Sequence, residues 1–174
     1  YIDPWRPVRC AVITHGHADH ARTGMGSYHL AAAGLPVLQW RLGEQDYHVH
    51  EYGQSFQLGR ATVSLHSAGH VLGSAQVRVE VDGEVWVASG DYKRQSDPTC
   101  APFEVVTCDT FITEATFGLP IYRWPETAEV AREILAWRDD CAARGEVALL
   151  YCYALGKAQR VLAEIGALDD ATVY

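Results

Sequence analysis

Three histidines and an aspartate crowd into six residues, His15-Gly-His17-Ala-Asp19-His20, directly after the apolar run Val8-Arg-Cys-Ala-Val-Ile-Thr14. In an extended loop His15 and His17 point the same way, because side chains repeat every two residues. Asp19 and His20 lie one turn further on and can face an adjacent point. Imidazole suits zinc, and imidazole mixed with carboxylate suits a pair of divalent ions. A polar surface loop has no use for so dense a packing of ligand types. Whatever the chain folds into must therefore bring further ligands to this loop, and the ends of neighbouring strands are the natural source.

Two segments fit that role. His70 stands in Ser67-Ala-Gly-His-Val-Leu-Gly-Ser74 and Asp91 in Ala88-Ser-Gly-Asp-Tyr92, each following a strand-like run. Alone, either reads as a turn residue. With the first cluster, both read as ligands delivered to one sheet edge. Around them the pattern is β: Ala61 to His66 is one run, and Ala75 to Val81 alternates before Asp82-Gly83 turns it into Glu84 to Ala88. An Asp-Gly between two alternating runs predicts a hairpin. Val8 to Thr14 predicts a buried strand, Asp109 to Thr113 a short one, and Leu35 to Leu42 a helix with Pro36 in its first turn.

The texture changes after Gly118. Glu126 to Arg144 predicts an amphipathic helix ending at Gly145, Glu146 to Cys152 a buried strand, and Gly156 to Leu168 a second helix. Helix, strand, helix and a strand-like ending at Ala171-Thr-Val-Tyr174 suggest the start of an open α/β sheet. The expected organisation is a β-rich part over residues 1–118 and an α/β part over 119–174. Tyr1 and the strand-like ending suggest a piece of a longer protein.

Fourteen basic residues against 22 acidic ones give a net charge of −8, which argues against a dedicated basic nucleic-acid module. It argues less against a nuclease, because bound divalent ions invert the potential at the site itself. Five cysteines without a CxxC pair fit a reduced, cytoplasmic protein and argue against a cysteine-based zinc site. No apolar run is long enough to span a membrane.

THGHADH, SAGHVLGSAQ and SGDY, in that order, resemble the successive metal motifs of metallo-β-lactamase-fold hydrolases. The resemblance implies an α/β fold, a partial αββα sandwich, with His15, His17 and His70 on one metal, Asp19 and His20 on a second, and Asp91 bridging. Asp3 matches the acidic residue that orients a ligand from behind, although a turn-forming Asp before Pro4 reads equally well. Ile112-Thr-Glu-Ala-Thr-Phe-Gly118 resembles the acidic motif opening the β-CASP insertion of the nuclease branch, and Tyr153-Ala-Leu-Gly-Lys-Ala-Gln-Arg160 resembles a later segment of that insertion. Asp3-Pro-Trp-Arg-Pro-Val8 is most similar to the bacterial ligase-associated DNA exonucleases.

That likeness implies hydrolysis of DNA phosphodiesters in repair, by a hydroxide activated between two divalent ions, zinc or alternatively manganese. Asp19, Asp91 and Glu114 would be the catalytic carboxylates, and a DNA ligase a functional neighbour. The family's later histidines, one completing the second metal site and one pairing with Glu114, lie beyond the last residue here. An RNA-processing nuclease of the same branch is the nearest alternative. A glyoxalase-like small-molecule hydrolase shares the metal motifs but needs neither Glu114 nor Gly156 to Gln159.

Gly156-Lys157 is no P-loop: GxxxxGK[ST] requires Gly at 151 and Ser or Thr at 158, where Tyr151 and Ala158 stand. A helix start bearing Lys157 remains a place for a backbone phosphate. His48-Val-His50, His29 and His66 read as solvated histidines. The five scattered tryptophans read as core or interface residues rather than a base-stacking platform.

Overall fold

Alternating apolar residues build the first layers. In a computed structural model, which describes residues 1–170, β1 (Ala11–Val12) and β2 (Tyr28–Ala31) pair in parallel, and β2 pairs in parallel with β3 (Tyr47–His50). A second sheet has the order β4 (Ser55–Leu58), β5 (Ala61–Ser67), β6 (Ala75–Val81), β7 (Glu84–Ala88), β8 (Thr110–Ile112). Its first four strands are antiparallel and β8 joins β7 in parallel.

Because neighbouring strand residues face opposite ways, the small sheet serves two cores. Ala11, Ile13, Tyr28 and Leu30 pack with Leu38 and Leu42 of α1 (Leu35–Leu42). Val12 and Ala31, on the other face, pack with Val63, Leu65, Ala75 and Val77 of the large sheet. Helix, sheet and sheet are thus stacked as a partial αββα sandwich. The β6–β7 turn has the expected form: Asp82 and Gly83 both take positive φ (52° and 85°), as a two-residue hairpin turn demands.

The chain divides into two compact units, Tyr1–Glu114 and Ala115–Tyr174. The second holds α2 (Thr127–Ala143) and α3 (Lys157–Gly166). Arg138 links them, donating to Asp169 at 2.7 Å.

Several expectations need correction. The strand expected over Val8 to Thr14 shrinks to Ala11–Val12; at its far end the Thr14 amide donates to the Asp3 carboxylate rather than to a strand carbonyl. The buried strand expected over Glu146 to Cys152 is not formed: Val147, Leu149, Leu150 and Tyr151 are exposed. A segment becomes a strand only where a neighbour completes its hydrogen bonds, and none does so among the described residues. The strand-like ending at 171–174 lies outside them. None of the five tryptophans enters a core, and Trp40 and Trp5 are the most exposed.

Candidate metal centre

The site is assembled where strands end. β1 runs into Ile13 and Thr14 and then the loop of His15 to His20. β5 ends at Ser67 and the following loop carries His70. β7 leads through Ser89 and Gly90 to Asp91, and β8 ends two residues before Glu114. One backbone bond ties the two sheets at this edge, Ala75 N–H donating to Thr14 O at 2.8 Å. Gly90 has φ +55°, and a Cβ there would stand 2.7 Å from Thr14 Cβ, so only glycine lets Asp91 come in this close.

One donor atom each from His15, His17, His70 and Asp91 lie within 4.8 Å of one another. His15 Nε2 is 2.9 Å from His17 Nδ1, and His70 Nε2 is 3.4 Å from the same atom. Asp91 Oδ2 is 3.8 Å from both His15 Nε2 and His70 Nε2. Tetrahedral zinc with bonds of ~2.0–2.1 Å sets its ligands roughly 3.3 Å apart, so this donor set fits a first-row divalent ion. The other oxygen of Asp91, Oδ1, faces His20 Nε2 at 3.4 Å, and Asp19 Oδ2 lies 3.6 Å from that same nitrogen. Asp91 therefore offers one oxygen to each of two adjoining donor groups. Asp19 and His20 stand outside the four-donor group, on the side of its second oxygen.

Behind the donors runs a hydrogen-bond relay. Asp3 accepts from the Thr14 amide at 2.8 Å, the Thr14 hydroxyl at 2.6 Å and His20 Nδ1 at 2.7 Å. With its proton given to Asp3, the Thr14 hydroxyl can only accept from His15 Nδ1, 3.0 Å away. Both imidazoles thus carry their proton on Nδ1 and turn the Nε2 lone pair inward, as metal-ligating histidines do. Asp3 adopts φ +43°, an uncommon conformation for a non-glycine residue, which its three bonds hold in place.

Electrostatics follow the same division. Burial, helped by His20, His70 and His17, pushes His15 down to about 2, so it stays neutral. Burial also lowers His70, against the opposing pull of Asp91 and Glu114. Burial acts downward on His20 too, but its bond to Asp3 and the charges of Asp3, Asp91 and Asp19 prevail and raise it. Two histidines are held as neutral donors, and a third is backed by carboxylates.

Other predicted residues lie as follows. Glu114 follows β8, its amide donating to Ser89 Oγ at 3.3 Å. Lys157 is the exposed first residue of α3, 5.4 Å from the Tyr153 ring, at a start secured by Gly156 N–H donating to Gln159 Oε1 at 2.7 Å. His29 is not solvated: β2–β3 pairing sets it opposite His48, and it is buried, stacked on Phe56 and 3.0 Å from His50 Nε2. His66 is mostly covered and bonds Glu104 at 2.8 Å.

Three residues of the site went unmarked in the sequence. Thr14 is the relay. Ser74 Oγ accepts from the His70 and Val71 amides at 3.0 and 3.2 Å, fixing the His70 loop. Arg41 of α1 donates to Gly16 O at 2.5 Å, clamping the histidine loop from behind. Thr14 and Ser74 sit inside the motifs and could have been found there; Arg41 has no local signal.

No family model matches the chain. Over 170 residues, 95% of its length, it is 34% identical to a "Probable DNA ligase" of Opitutus terrae, of which it covers 16%. Over 63% of its length it is 29% identical to an "RNase J-like protein" of Methanocaldococcus jannaschii, covering 28% of that protein. Over 64% it is 30% identical to an endoribonuclease of Eremothecium gossypii, covering 14%. The chain thus spans less than a third of each of these relatives. Among solved structures, a protein of unknown function from Enterococcus faecalis superposes with a TM-score of 0.56 at 10% identity, over 75% of this chain and 39% of that one. That likeness concerns the fold.

Proposed function

We propose that this chain, which belongs to the β-CASP branch of the metallo-β-lactamase-fold nucleases, carries the metal-binding half of a DNA phosphodiester hydrolase. Residues 1–118 are assigned to the metallo-β-lactamase part and 119–174 to the beginning of the β-CASP insertion, a boundary four residues beyond the division of the compact units after Glu114. The observation that carries the reading is Asp91 standing between two sets of donors, grouped with His15, His17 and His70 and facing His20 with its other oxygen, while Asp19 lies against the same His20 nitrogen.

His15, His17 and His70 would hold one ion, Asp19 and His20 a second, with Asp91 shared; zinc is favoured and manganese fits the same donors. A divalent pair lowers the pKa of water toward ~7 and draws charge from a phosphate oxygen. Asp19, exposed beside His20, orients the attacking water and accepts its proton. Glu114 manages the proton of the leaving oxygen. Asp3 keeps His20, and through Thr14 also His15, in the ligating tautomer. Lys157 contacts a backbone phosphate. A cytoplasmic setting suits the five free cysteines.

DNA is favoured because a relative matched over 95% of the chain is named a probable DNA ligase, while exonucleolytic repair beside a ligase rests on the resemblance carried by Asp3 to Val8. RNA is the second reading, favoured by the names of the RNase J-like and endoribonuclease relatives. The test is cleavage of end-labelled DNA and RNA of one sequence by the full-length protein with zinc or manganese. Progressive shortening of the DNA supports the reading; cleavage of RNA alone would replace it with the second, and cleavage of neither would refute both.

A further inference from the structure

Beside the histidine loop lies a cleft of about 470 Å³, bounded by Trp5, Pro7, Arg22, Thr23 and Arg41. Its floor is the back of the metal loop: Ala21 follows His20, and Arg41 reaches through to Gly16 O between His15 and His17. The guanidinium carbon of Arg22 stands 4.3 Å from the centroid of the Trp5 ring. Trp5 itself is 73% exposed, and Nε of Arg22 is buried with no hydrogen-bond partner.

Charge is unevenly spread along the chain. Residues 1–42 hold four basic side chains (Arg6, Arg9, Arg22, Arg41) and two acidic ones, Asp3 and Asp19, for a net +2. The remaining 132 hold ten basic and twenty acidic ones, a net −10, which with the first segment makes up the −8 of the whole. Elsewhere some cations meet the chain's own carboxylates, as Arg60 meets Asp82, Arg78 meets Glu80 and Arg138 meets Asp169, while others such as Arg94, Arg123, Arg132 and Lys157 form no such pair among the described residues. Among the described residues no ion pair involves Arg6, Arg9, Arg22 or Arg41. Both acids of the segment face the metal donors instead. Two of these four arginines, Arg22 and Arg41, line the cleft beside the histidine loop, and neither meets a carboxylate of the chain among the described residues.

We infer that this cleft is a strand-binding subsite, in which Trp5 stacks on a nucleobase and Arg22 binds the adjoining phosphate of a single-stranded nucleic acid. An indole with an open face takes any base, and the planar guanidinium fork matches a phosphate diester in two parallel bonds. Arg22 lies two residues beyond His20, so the cleft adjoins the loop that carries the donors. The inference rests on the phosphodiesterase reading for its direction, and its test is independent of cleavage.

Binding of a fluorescent single strand of roughly 12 nucleotides, as DNA and as RNA, is measured by anisotropy on the full-length protein in chelator, across a salt series. Trp5→Ala is expected to weaken affinity about 5- to 150-fold, the range for losing one base–aromatic stack. Arg22→Gln is expected to reduce the slope of log affinity against log salt by ~0.7, one phosphate contact on a single strand. Arg22→Lys, which keeps the charge, should retain the slope. Thermal melting checks the fold, and should Arg22→Gln unfold, the exposed Trp5→Ala decides alone. Affinities and slopes equal to wild type would overturn the subsite even if wild type cleaves nucleic acid. Weakened binding in a protein that cleaves nothing with metal would instead leave the subsite standing and sink the nuclease reading.

Discussion

The two units treat their apolar residues in opposite ways. In the first, Leu65, Val77 and Tyr28 are wholly buried, and every strand of the large sheet has a paired neighbour. In the second, Val147, Leu149, Leu150 and Tyr151 make an equally apolar run that stays exposed and pairs with nothing described. The difference is not one of composition. Burial of a strand is a collective property, since its face is removed from water only when flanking strands and a covering layer are present. The donor atoms belong to the unit that supplies its own layers. That is physically reasonable, because holding imidazoles within a few tenths of an ångström of ligating geometry requires a rigid frame behind them.

The largest effect should come from breaking the frame's output at Asp91. Asp91→Ala removes one oxygen from each donor group. Cleavage by the full-length protein should fall at least ~1,000-fold, with binding of the nucleic acid nearly intact. Metal content separates this from misfolding: wild-type chain should hold one ion tightly on His15, His17, His70 and Asp91, and a second more weakly. Asp91→Ala should lose the second altogether in elemental analysis. Two equally tight ions surviving in the variant would mean that Asp91 does not bridge.

A smaller effect contrasts the units directly. Leu65→Ala, in the sheet–sheet core, should cost ~2–5 kcal/mol in denaturant unfolding. Leu149→Ala, equally apolar but 66% exposed, should change stability by no more than about 0.5 kcal/mol. Similar losses at both positions would show that the second unit is packed in solution as firmly as the first.

What could be read beforehand divides along similar lines. The convergence of His15, His17, His70 and Asp91 was legible because ligand types fall within short windows, and the β6–β7 hairpin because Asp82-Gly83 states its own turn. The pairing of β2 with β3 was not. Tyr28-His-Leu-Ala and Tyr47-His-Val-His carry histidines where a strand pattern shows apolar residues, and only the sheet–sheet interface makes His29 an interior residue, stacked on Phe56. The run over Glu146 to Cys152 failed for the converse reason: its local pattern is correct for a strand, but pairing is not a local property. Arg41 supports the histidine loop from another element, and no spacing in the chain links it to Gly16.

His29 also gives the intermediate prediction. Burial, then His48 and His50, lower it from 6.5 to about 4. The unfolded chain therefore takes up a proton first as pH falls, and the folded state resists it. The contribution of this residue is fully present above about pH 6.5 and is lost progressively as pH drops toward about 4. His29→Phe, which keeps a ring against Phe56, should flatten the decline in melting temperature over that interval, by an amount equivalent to ~1–2 kcal/mol. An unchanged acid limb would show that the titration responsible lies elsewhere, His50 being the first alternative because burial lowers it too.

The smallest effect is expected in the second unit, at Lys157. Its ammonium lies over the Tyr153 ring at 5.4 Å and stands at the first turn of α3, where free amides and the helix dipole favour an anion. One exposed cation contributes one counterion to binding. Lys157→Ala should therefore weaken nucleic-acid affinity only a few-fold near physiological salt and reduce the log–log salt slope by ~0.7–0.9. The saturated cleavage rate should change less, because the grouped donors all belong to the first unit among the described residues. This is the reverse of the Asp91→Ala pattern, in which turnover collapses and affinity stays. Rate and affinity falling together in Lys157→Ala would give the helix start a part in the chemical step. Should neither change, on DNA or RNA, α3 does not contact the substrate backbone, and a small-molecule phosphodiester or thioester becomes the better substrate class to test against the donors of the first unit.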